Sequence, residues 1–401
     1  MAALLRNPRI VYSLERFSTA TAAHEPSSSS ASGSSISRIK TSIRGESKPD
    51  RLAELFQSAA TTPTFYGDRI IYSITIQKLA HARRIDLIER LLEQQLADPS
   101  TPKSEGFFTR IISLYGKSGM PDHAASAFNR FPSRRSERSL CALLNAFFKS
   151  HQHARLRETF NQAKEVLGVS PGIASYNVLL KSLCEDGNVA AARAMLDEMP
   201  KREMIPDIVS YNMVLNGYLK ERNEEGFEEL LKELSVRNLV ANVSTYNCRI
   251  AWLCSKGRSF EAGELLDAVD SVGIQPNRVS FVTLIAAFCK NGEARAAMNA
   301  FRRMQAMKNG VSGSWLQNFT AYPVLISCLV EKEEFDSALE ILKLCLRKNC
   351  LPPLAPVKDL IQVLIKKSRV KEAKDFVGKM RKAVRGDAID AWRKIEGEFS
   401  L

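Results

Sequence analysis

A short sequence motif returns in this chain at a fixed interval of 35 residues. Ser-Tyr-Asn at residues 175–177 recurs at 210–212 and, as Thr-Tyr-Asn, at 245–247. A period between about 20 and 50 residues is typical of stacked-repeat architectures, in which one repeat cannot bury its apolar face alone. Such a protein presents the same side-chain position once per repeat along one face, and it usually binds a polymer or a partner surface.

We number each repeat so that the recurring Asn is position 5 and position 35 is the last residue. Apolar residues spaced by three and four in both halves of a repeat predict two helices, A and B, whereas strand patterns are weak. The sequence therefore predicts an all-α fold, a helical-hairpin repeat solenoid wound as a right-handed superhelix of about nine repeats. The repeats begin near residues 69, 105, 137, 173, 208, 243, 278, 319 and 354.

Three further positions recur and support this numbering. Glycine at position 15 ends helix A because it adopts positive φ without strain. Alanine at position 20 lets two helices approach closely, and large apolar side chains at position 27 are expected to bury between repeats. The glycines are Gly119, Gly187, Gly257 and Gly292; the alanines are Ala124, Ala192, Ala262, Ala297, Ala338 and Ala373; position 27 holds Phe131, Met199, Leu234, Val269, Met304 and Met380.

The first 45 residues differ in composition from the rest. Arg6, Arg9 and Arg16 alternate with apolar residues, and a serine-rich stretch follows from Ser27. An Arg-rich, Ser-rich, acid-poor start is typical of an organellar transit peptide, and such a low-complexity stretch cannot bury a core. The arginine pattern favours a mitochondrion, with a plastid as the alternative, and residues 16–18 (Arg-Phe-Ser) resemble a mitochondrial processing site.

These patterns divide the chain into four segments. We expect a transit peptide and disordered Ser-rich segment over residues 1–45, an N-terminal capping helix over 46–68, the solenoid over 69–388 and a C-terminal cap or tail over 389–401. The Arg278 repeat is long, with six extra residues around 308–315 that we interpret as a loop insertion.

The chain is basic, with 57 Lys and Arg against 44 Asp and Glu, a net charge of +13. This balance favours a polyanionic partner, most simply nucleic acid; the alternative is a basic organellar protein whose charge is only partly functional. No apolar run reaches the length of a membrane span. Eight cysteines include no CxxC pair. Cys184, Cys254 and Cys289 share one position in three repeats, so we expect reduced structural thiols, and no metal or other cofactor.

The residues over 175–207, SYNVLLKSLCEDGNVAAARAMLDEMPKREMIPD, resemble the pentatricopeptide repeat family. The resemblance covers residues 69–388, is strongest over 173–318, and is to the P class of the family. A deaminase-type His-x-Glu motif with paired CxxC, a GxxxxGK[ST] phosphate loop and a nucleophile–base arrangement are all absent from the sequence. We therefore expect no enzymatic activity and no small-molecule substrate.

The family resemblance implies that each repeat binds one base of single-stranded RNA through positions 5 and 35. Short amide and carboxylate side chains suit the Watson–Crick edge of an unstacked base, and apolar residues of adjacent repeats can sandwich its faces. Asn177 with Asp207 resembles a uracil-binding pair. Asn212 with Asn242, and Asn247 with Asn277, resemble pyrimidine-binding pairs that favour cytosine.

Other repeats depart from this pattern, and the Asn residues have a second interpretation. Position 5 is Cys141, Val282 or Pro323 in three repeats, and position 35 is Gly172 or Pro353 in two. Asn at a helix start is also a common N-cap. The recurring Tyr176, Tyr211 and Tyr246 are expected to pack in the core. In the last repeat, the cluster Lys366, Lys367, Arg369, Lys371 and Lys374 is either a solvated helix face or a grip on RNA phosphates.

Three functions fit these features. The first is a component of the mitochondrial ribosome that contacts ribosomal RNA and ribosomal proteins. Few pairs of residues at positions 5 and 35 are intact, and a sequence of three bases recurs too often by chance to select one transcript. A second is a free, sequence-guided binder of mitochondrial transcripts. A third, a protein-only scaffold, is disfavoured by the basic charge and by the position-35 Asp and Asn residues.

Overall fold

The computed structural model describes residues 32–60, 68–99, 103–131, 135–271, 273–306, 322–347, 351–352, 354–386 and 388–399. Within these ranges the chain forms α-helices and one short 3-10 helix, and no strand. The proposed processing site at 16–18, the insertion at 308–315, the predicted repeat start at Phe319 and Pro353 lie outside the described residues. Helices divide between two compact parts, Met1–Ser118 and Gly119–Leu401.

The described residues of the first part form five helices. They are α1 Ser32–Gly45, α2 Pro49–Ala60, α3 Arg69–His81, α4 Ile85–Ala97 and α5 Glu105–Lys117. Helix α1 packs on α2 and α3, and α4 packs on both α2 and α3.

Residues Ser32–Gly45 form helix α1, whereas the serine-rich composition predicts disorder up to residue 45. Ile43 is fully buried, and Lys78 Nζ donates to the carbonyl oxygens of Ile43, Arg44 and Glu46 at 3.1, 2.7 and 2.8 Å. The physical reason is an apolar stripe hidden in the serine-rich composition: Ile39 and Ile43 lie four residues apart, on one face of a helix. Residues 32–45 therefore belong to the fold.

The second part is a stack of helical hairpins. It contains α6 Pro121–Asn129, α7 Glu137–Lys149, α8 His153–Gln162, α9 Ile173–Glu185, α10 Val189–Glu198, the 3-10 helix Met199–Arg202, α11 Ile208–Glu221, α12 Glu224–Val236, α13 Val243–Ser255, α14 Ser259–Ser271, α15 Arg278–Lys290, α16 Ala294–Ala306, α17 Tyr322–Glu331, α18 Phe335–Arg347, α19 Leu354–Lys366, α20 Val370–Ala383 and α21 Ala388–Glu396. Each odd-numbered helix from α7 to α17 packs on the next even-numbered one and on the next odd-numbered one, and α19 packs on α20. The predicted all-α helical-repeat solenoid is confirmed.

Position 8 of helix A is a buried core position. It is Ile or Leu in every repeat, and each of these side chains is at most 1% exposed. They are Ile76, Ile112, Leu144, Leu180, Leu215, Ile250, Ile285, Ile326 and Ile361. The position-20 alanines and the position-27 apolar residues are buried as well. Burial of this kind contributes about 1.5–3 kcal/mol for each large side chain, relative to exposure.

The turn from helix A to helix B uses one left-handed residue at position 15 in every repeat. Gly187 and Gly257 have φ of 74° and 75°, but Arg222 and Ser368 adopt φ of 57° and 64° in equivalent turns. The next residue donates its backbone N–H to the carbonyl oxygen five residues back, as from Asn188 to Leu183 at 2.9 Å, which is a Schellman-type helix end. The fold thus imposes positive φ even where the sequence has no glycine.

Among the described residues, no helix combines the length and the apolar character needed to cross a bilayer. The described cysteines are free thiols. Burial raises the pKa of Cys184 and of Cys248 to about 12, so these thiols stay protonated near neutral pH, in keeping with a structural role.

The left-handed turn predicts opposite stability effects for two reciprocal substitutions. Gly187→Ala places a Cβ at φ +74° with open space around it, so we expect backbone strain alone to destabilise the protein by about 1 kcal/mol. Arg222→Gly relieves the same strain, and we expect it to raise the thermal midpoint followed by circular dichroism. If both variants shifted the midpoint in the same direction, turn strain would not be the cause.

Candidate nucleic-acid interface

The three intact position-5 and position-35 pairs come together at the junctions between successive hairpins. Asn177 Nδ2 lies 3.4 Å from Asp207 Oδ1. The corresponding amide-to-oxygen distances are 3.1 Å for Asn212 with Asn242 and 3.2 Å for Asn247 with Asn277. Position 5 lies in the second turn of helix A, and position 35 lies just before the next helix A. Each junction site is therefore built from two repeats.

Position 35 is also the N-cap of the following helix A. Asp207 Oδ1 accepts from the backbone N of Ser210 at 2.9 Å, and Asn242 Oδ1 accepts from Ser244 and Thr245. A cap of this type contributes about 1 kcal/mol to helix stability. The capping interpretation thus applies to position 35, while the Asn at position 5 lies inside the helix and caps nothing.

A hydroxyl at position 3 of the next repeat orients the position-5 amide. Ser210 Oγ donates to Asn177 Oδ1 at 2.7 Å, and Ser280 Oγ donates to Asn247 Oδ1 at 2.5 Å. Because the amide oxygen accepts this bond, the Asn NH₂ group is turned toward position 35. This role was not predicted from the sequence, although the first residue of the repeated tripeptide is its signal.

The middle junction lacks the orienting bond. Thr245 Oγ1 lies 3.3 Å from Asn242 Oδ1, and Asn212 Oδ1 is buried with no hydrogen-bond partner among the described residues. Asn212 as a whole is only 3% exposed. An unpaired buried acceptor is costly, by about 1–3 kcal/mol, so this junction is less well satisfied than its neighbours.

Several polar groups at the junctions remain available to a ligand. Among the described residues, Asp207 Oδ2 and the Nδ2 groups of Asn242 and Asn277 have no hydrogen bond, since the caps use only Oδ1. Asp207 thus offers an acceptor, and each Asn offers a donor. The arrangement suits a base edge that carries a complementary donor or acceptor.

Apolar side chains at position 2 flank these groups. Val209 and Val279 are 38% and 56% exposed in the first turns of α11 and α15. Their methyl groups can contact the face of a base, as the family resemblance implies. Ala174 and Ser244 occupy the same position in the other two repeats and present less apolar surface. None of these four residues was predicted from the sequence as part of the site.

The recurring tyrosines pack mainly inside. Tyr176 and Tyr211 are buried, and Tyr211 Oη donates to Glu233 Oε1 at 2.8 Å. Burial, and then the Glu233 carboxylate, raise the pKa of Tyr211. Tyr246 is half-buried, with the Arg249 guanidinium 5.6 Å from its ring centroid.

Acidic residues of the same chain partly neutralise the basic cluster of the last repeat. Lys367 Nζ lies 3.1 Å from Glu333, and Arg369 contacts both Asp336 and Glu372 at 2.6 Å. Lys366, Lys371 and Lys374 are exposed, and they form no ion pair within the described residues. These three lysines are the members of the cluster best placed to meet an external anion.

The described residues hold no group of three or more His, Cys, Asp or Glu side chains arranged to bind a metal ion. The remaining position-5 residues include Lys358, whose ammonium pairs with Glu398 at 2.5 Å. Chemically, the junctions offer hydrogen-bonding groups and apolar contacts, which are the components of a binding surface.

Models of one protein family match several stretches of the chain. The model described as PPR repeat family matches residues 171–220, 206–254 and 241–290. The PPR repeat model matches residues 107–135 and 279–308, and the pentatricopeptide repeat domain model matches residues 139–185.

Curated relatives come from Arabidopsis thaliana. The small ribosomal subunit protein mS78 (rPPR3a) is 37% identical over 194 residues, which cover 47% of this chain and 48% of that protein. The small ribosomal subunit protein mL103 (rPPR7) is 24% identical over 393 residues, 97% of this chain and 93% of that protein. A mitochondrial pentatricopeptide repeat-containing protein is 25% identical over 393 residues, covering 97% of this chain and 91% of its own length. The chain thus spans about half of mS78 and most of the other two.

The hydroxyl at position 3 predicts a reciprocal pair of effects at two junctions. Thr245→Ser removes a methyl group and frees χ1, so the hydroxyl can turn to Asn212 Oδ1, as Ser210 does toward Asn177. We expect a gain of about 1 kcal/mol in the free energy of unfolding. Ser210→Thr should lose a similar amount, measured by thermal unfolding. A loss of stability in Thr245→Ser would contradict this account of the orphaned oxygen.

Proposed function

The chain belongs to the pentatricopeptide repeat family, and from that premise we propose that it binds RNA in mitochondria as a component of the mitochondrial ribosome. There it contacts ribosomal RNA and neighbouring ribosomal proteins, and it supports translation. The proposed mode of binding is to single-stranded segments, through the hairpin junctions and the exposed basic residues.

The observation that carries the proposal is the row of three junctions with free base-pairing groups. Asp207 Oδ2 can accept from uracil N3–H, and the Asn242 and Asn277 amides can donate to cytosine N3. The flanking Val209 and Val279 supply apolar contact. Consecutive junctions repeat these groups along stacked helices, which suits successive bases of one strand.

The N-terminal ends of helices A add an electrostatic contribution. Helices α9, α11, α13 and α15 pack side by side in sequence, and their N-termini begin at the junctions. Each N-terminus carries partial positive charge that favours an anion. Together with the net charge of +13, this favours a phosphate backbone over a neutral ligand.

The ribosomal setting is supported by two kinds of observation. Two relatives are named as small ribosomal subunit proteins, and a third relative is named as mitochondrial. Only three position-5/35 pairs are intact, and one of them contains the buried Asn212. A protein held in a large assembly needs less sequence readout than one that must select a transcript from solution.

A second candidate is a free binder of mitochondrial transcripts that stabilises, processes or helps translate them. The observation in its favour is that the three intact pairs are consecutive, so they would contact three adjacent pyrimidines. A protein-only scaffold is the weaker alternative, because the unpaired junction groups would then have no ligand.

Sedimentation of a mitochondrial lysate distinguishes these settings. We expect the protein to co-migrate with a ribosomal subunit on a sucrose gradient, and to stay with that subunit after EDTA separates the two. Migration as a small particle that RNase shifts, with no effect of EDTA, would instead indicate a free transcript binder. Absence of the protein from the purified mitochondrial fraction would contradict the proposed location.

Base selection at one junction can be tested without removing a helix cap. Asp207→Asn retains the Oδ1 acceptor that caps α11 but replaces the second acceptor with a donor. We expect the preferred base at this junction to change from uracil to cytosine, with about a tenfold change in relative affinity, measured by fluorescence anisotropy on short pyrimidine-rich RNAs.

The matched control changes phosphate contacts and leaves the junctions alone. Lys366→Ala with Lys371→Ala removes two exposed charges, so we expect weaker binding of all RNAs alike and a shallower dependence on salt. If Asp207→Asn left base preference unchanged while the lysine variant weakened every RNA, binding would depend on charge and not on the junction pairs.

A further inference from the structure

The junction between the Glu137 and Ile173 repeats has no position-35 side chain, because that residue is Gly172. Helix α9 accordingly begins without a side-chain bond from its N-cap residue. Instead, Glu137 Oε1, from position 1 of the preceding helix A, accepts from the backbone N of Ser175 at 3.2 Å. This amide is the equivalent of the Ser210 amide, which Asp207 caps in the next junction at 2.9 Å.

The Glu137 carboxyl group lies in the space that a position-35 side chain would enter. A Cβ added to Gly172 would lie 2.3 Å from Glu137 Oε2 and 2.5 Å from both Cδ and Oε1. These distances are shorter than any real Cβ contact, so a side chain at residue 172 and the present position of the Glu137 carboxyl exclude each other. Because residue 172 is a glycine, the Glu137 carboxylate can occupy this space.

The side chains at positions 5 and 3 of this junction make the same kind of contact as those at the next junction. Cys141, at position 5, has its Sγ 3.2 Å from Ser175 Oγ, at position 3 of the next repeat. Asn177 and Ser210 make the corresponding contact one repeat later, at 2.7 Å. The Glu137 junction, defined as Glu137, Cys141, Gly172 and Ser175, thus holds a carboxylate, a position-5 side chain and a position-3 hydroxyl.

We propose that the Glu137 junction is a fourth base-binding site that prefers guanine. An ionised carboxylate only accepts hydrogen bonds, a thiol is at most a weak donor, and the site has no amide donor. Glu137 Oε2 has no hydrogen bond among the described residues. Guanine alone among the four bases presents two adjacent donors, N1–H and N2–H₂, on its Watson–Crick edge. Charge-assisted bonds of this type are stronger than neutral ones.

This inference rests on the proposed RNA binding and extends it by one nucleotide. The site precedes the Asn177–Asp207 junction, so its base would adjoin the uracil of a uracil–cytosine–cytosine run. Strand direction is handled by using two series of RNAs, 5′-N-U-C-C and 5′-C-C-U-N, with N as each of the four bases. Affinity for the full-length chain is measured by fluorescence anisotropy at constant salt.

We expect guanine at N to bind about tenfold more tightly than the other bases in one of the two series. Glu137→Gln keeps an oxygen for the Ser175 amide but removes the second acceptor, so the preference for guanine should disappear. Gly172→Ala should have the same effect with Glu137 intact, because the added Cβ displaces the carboxyl. Glu225→Gln, which removes an equal charge from exposed residues of α12, should keep the preference.

Each outcome separates this inference from the proposed function. Equal affinities for all four bases at N, with uracil–cytosine–cytosine binding retained and still sensitive to Asp207→Asn, would overturn the guanine site and leave RNA binding standing. Retention of the guanine preference in both Glu137→Gln and Gly172→Ala would also overturn it. Failure of the chain to bind any of the RNAs would overturn both. Circular dichroism of each variant checks that the helices form.

Discussion

Within the second part of the chain, burial of one hairpin's apolar face against the next hairpin is the interaction on which the other features depend. The aliphatic residue at position 8, such as Leu180 or Leu215, is buried in every repeat. A two-helix hairpin exposes this side chain when it is alone, and stacking is what removes it from water. Stacking also sets the distance between neighbouring helices A, and therefore the distance between every pair of side chains at a junction.

The ends of helix A follow from this stacking. A left-handed residue at position 15 reverses the chain, and an Asp or Asn at position 35 caps the helix that follows. Because one oxygen satisfies the cap, the second group of the same side chain is left at the surface. The stability of the fold and the availability of hydrogen-bonding groups thus come from one residue, and Asp207 serves both. The Glu137 junction reaches a related arrangement from a different position of the repeat.

Charge on this protein is distributed in two ways. Many basic residues bind acidic residues of the neighbouring repeat, as Lys220 does with Glu185 at 2.5 Å and Lys256 with Glu224 at 2.6 Å. Exposed pairs of this kind contribute little stability and weaken with salt. The excess of positive charge left by the pairs is what an RNA backbone would meet, and Lys366 and Lys371 belong to that excess.

The repeat length, the all-α class and the buried positions follow from the sequence alone, because periodicity and turn preference are properties of local sequence. The family resemblance implied the pairing of Asn177 with Asp207, and the preference of glycine for turns predicted positive φ at Gly187 and Gly257. Helix α1 was not predicted, because the serine-rich composition of this segment obscured the helical spacing of its isoleucines. The stacked helices, and not the local sequence, bury Asn212 with an unpaired acceptor beside Asn242, and they place the Glu137 carboxyl in the space beside Gly172. Those contacts join residues about 30 to 38 positions apart, so they exist only once neighbouring hairpins are stacked at a fixed distance.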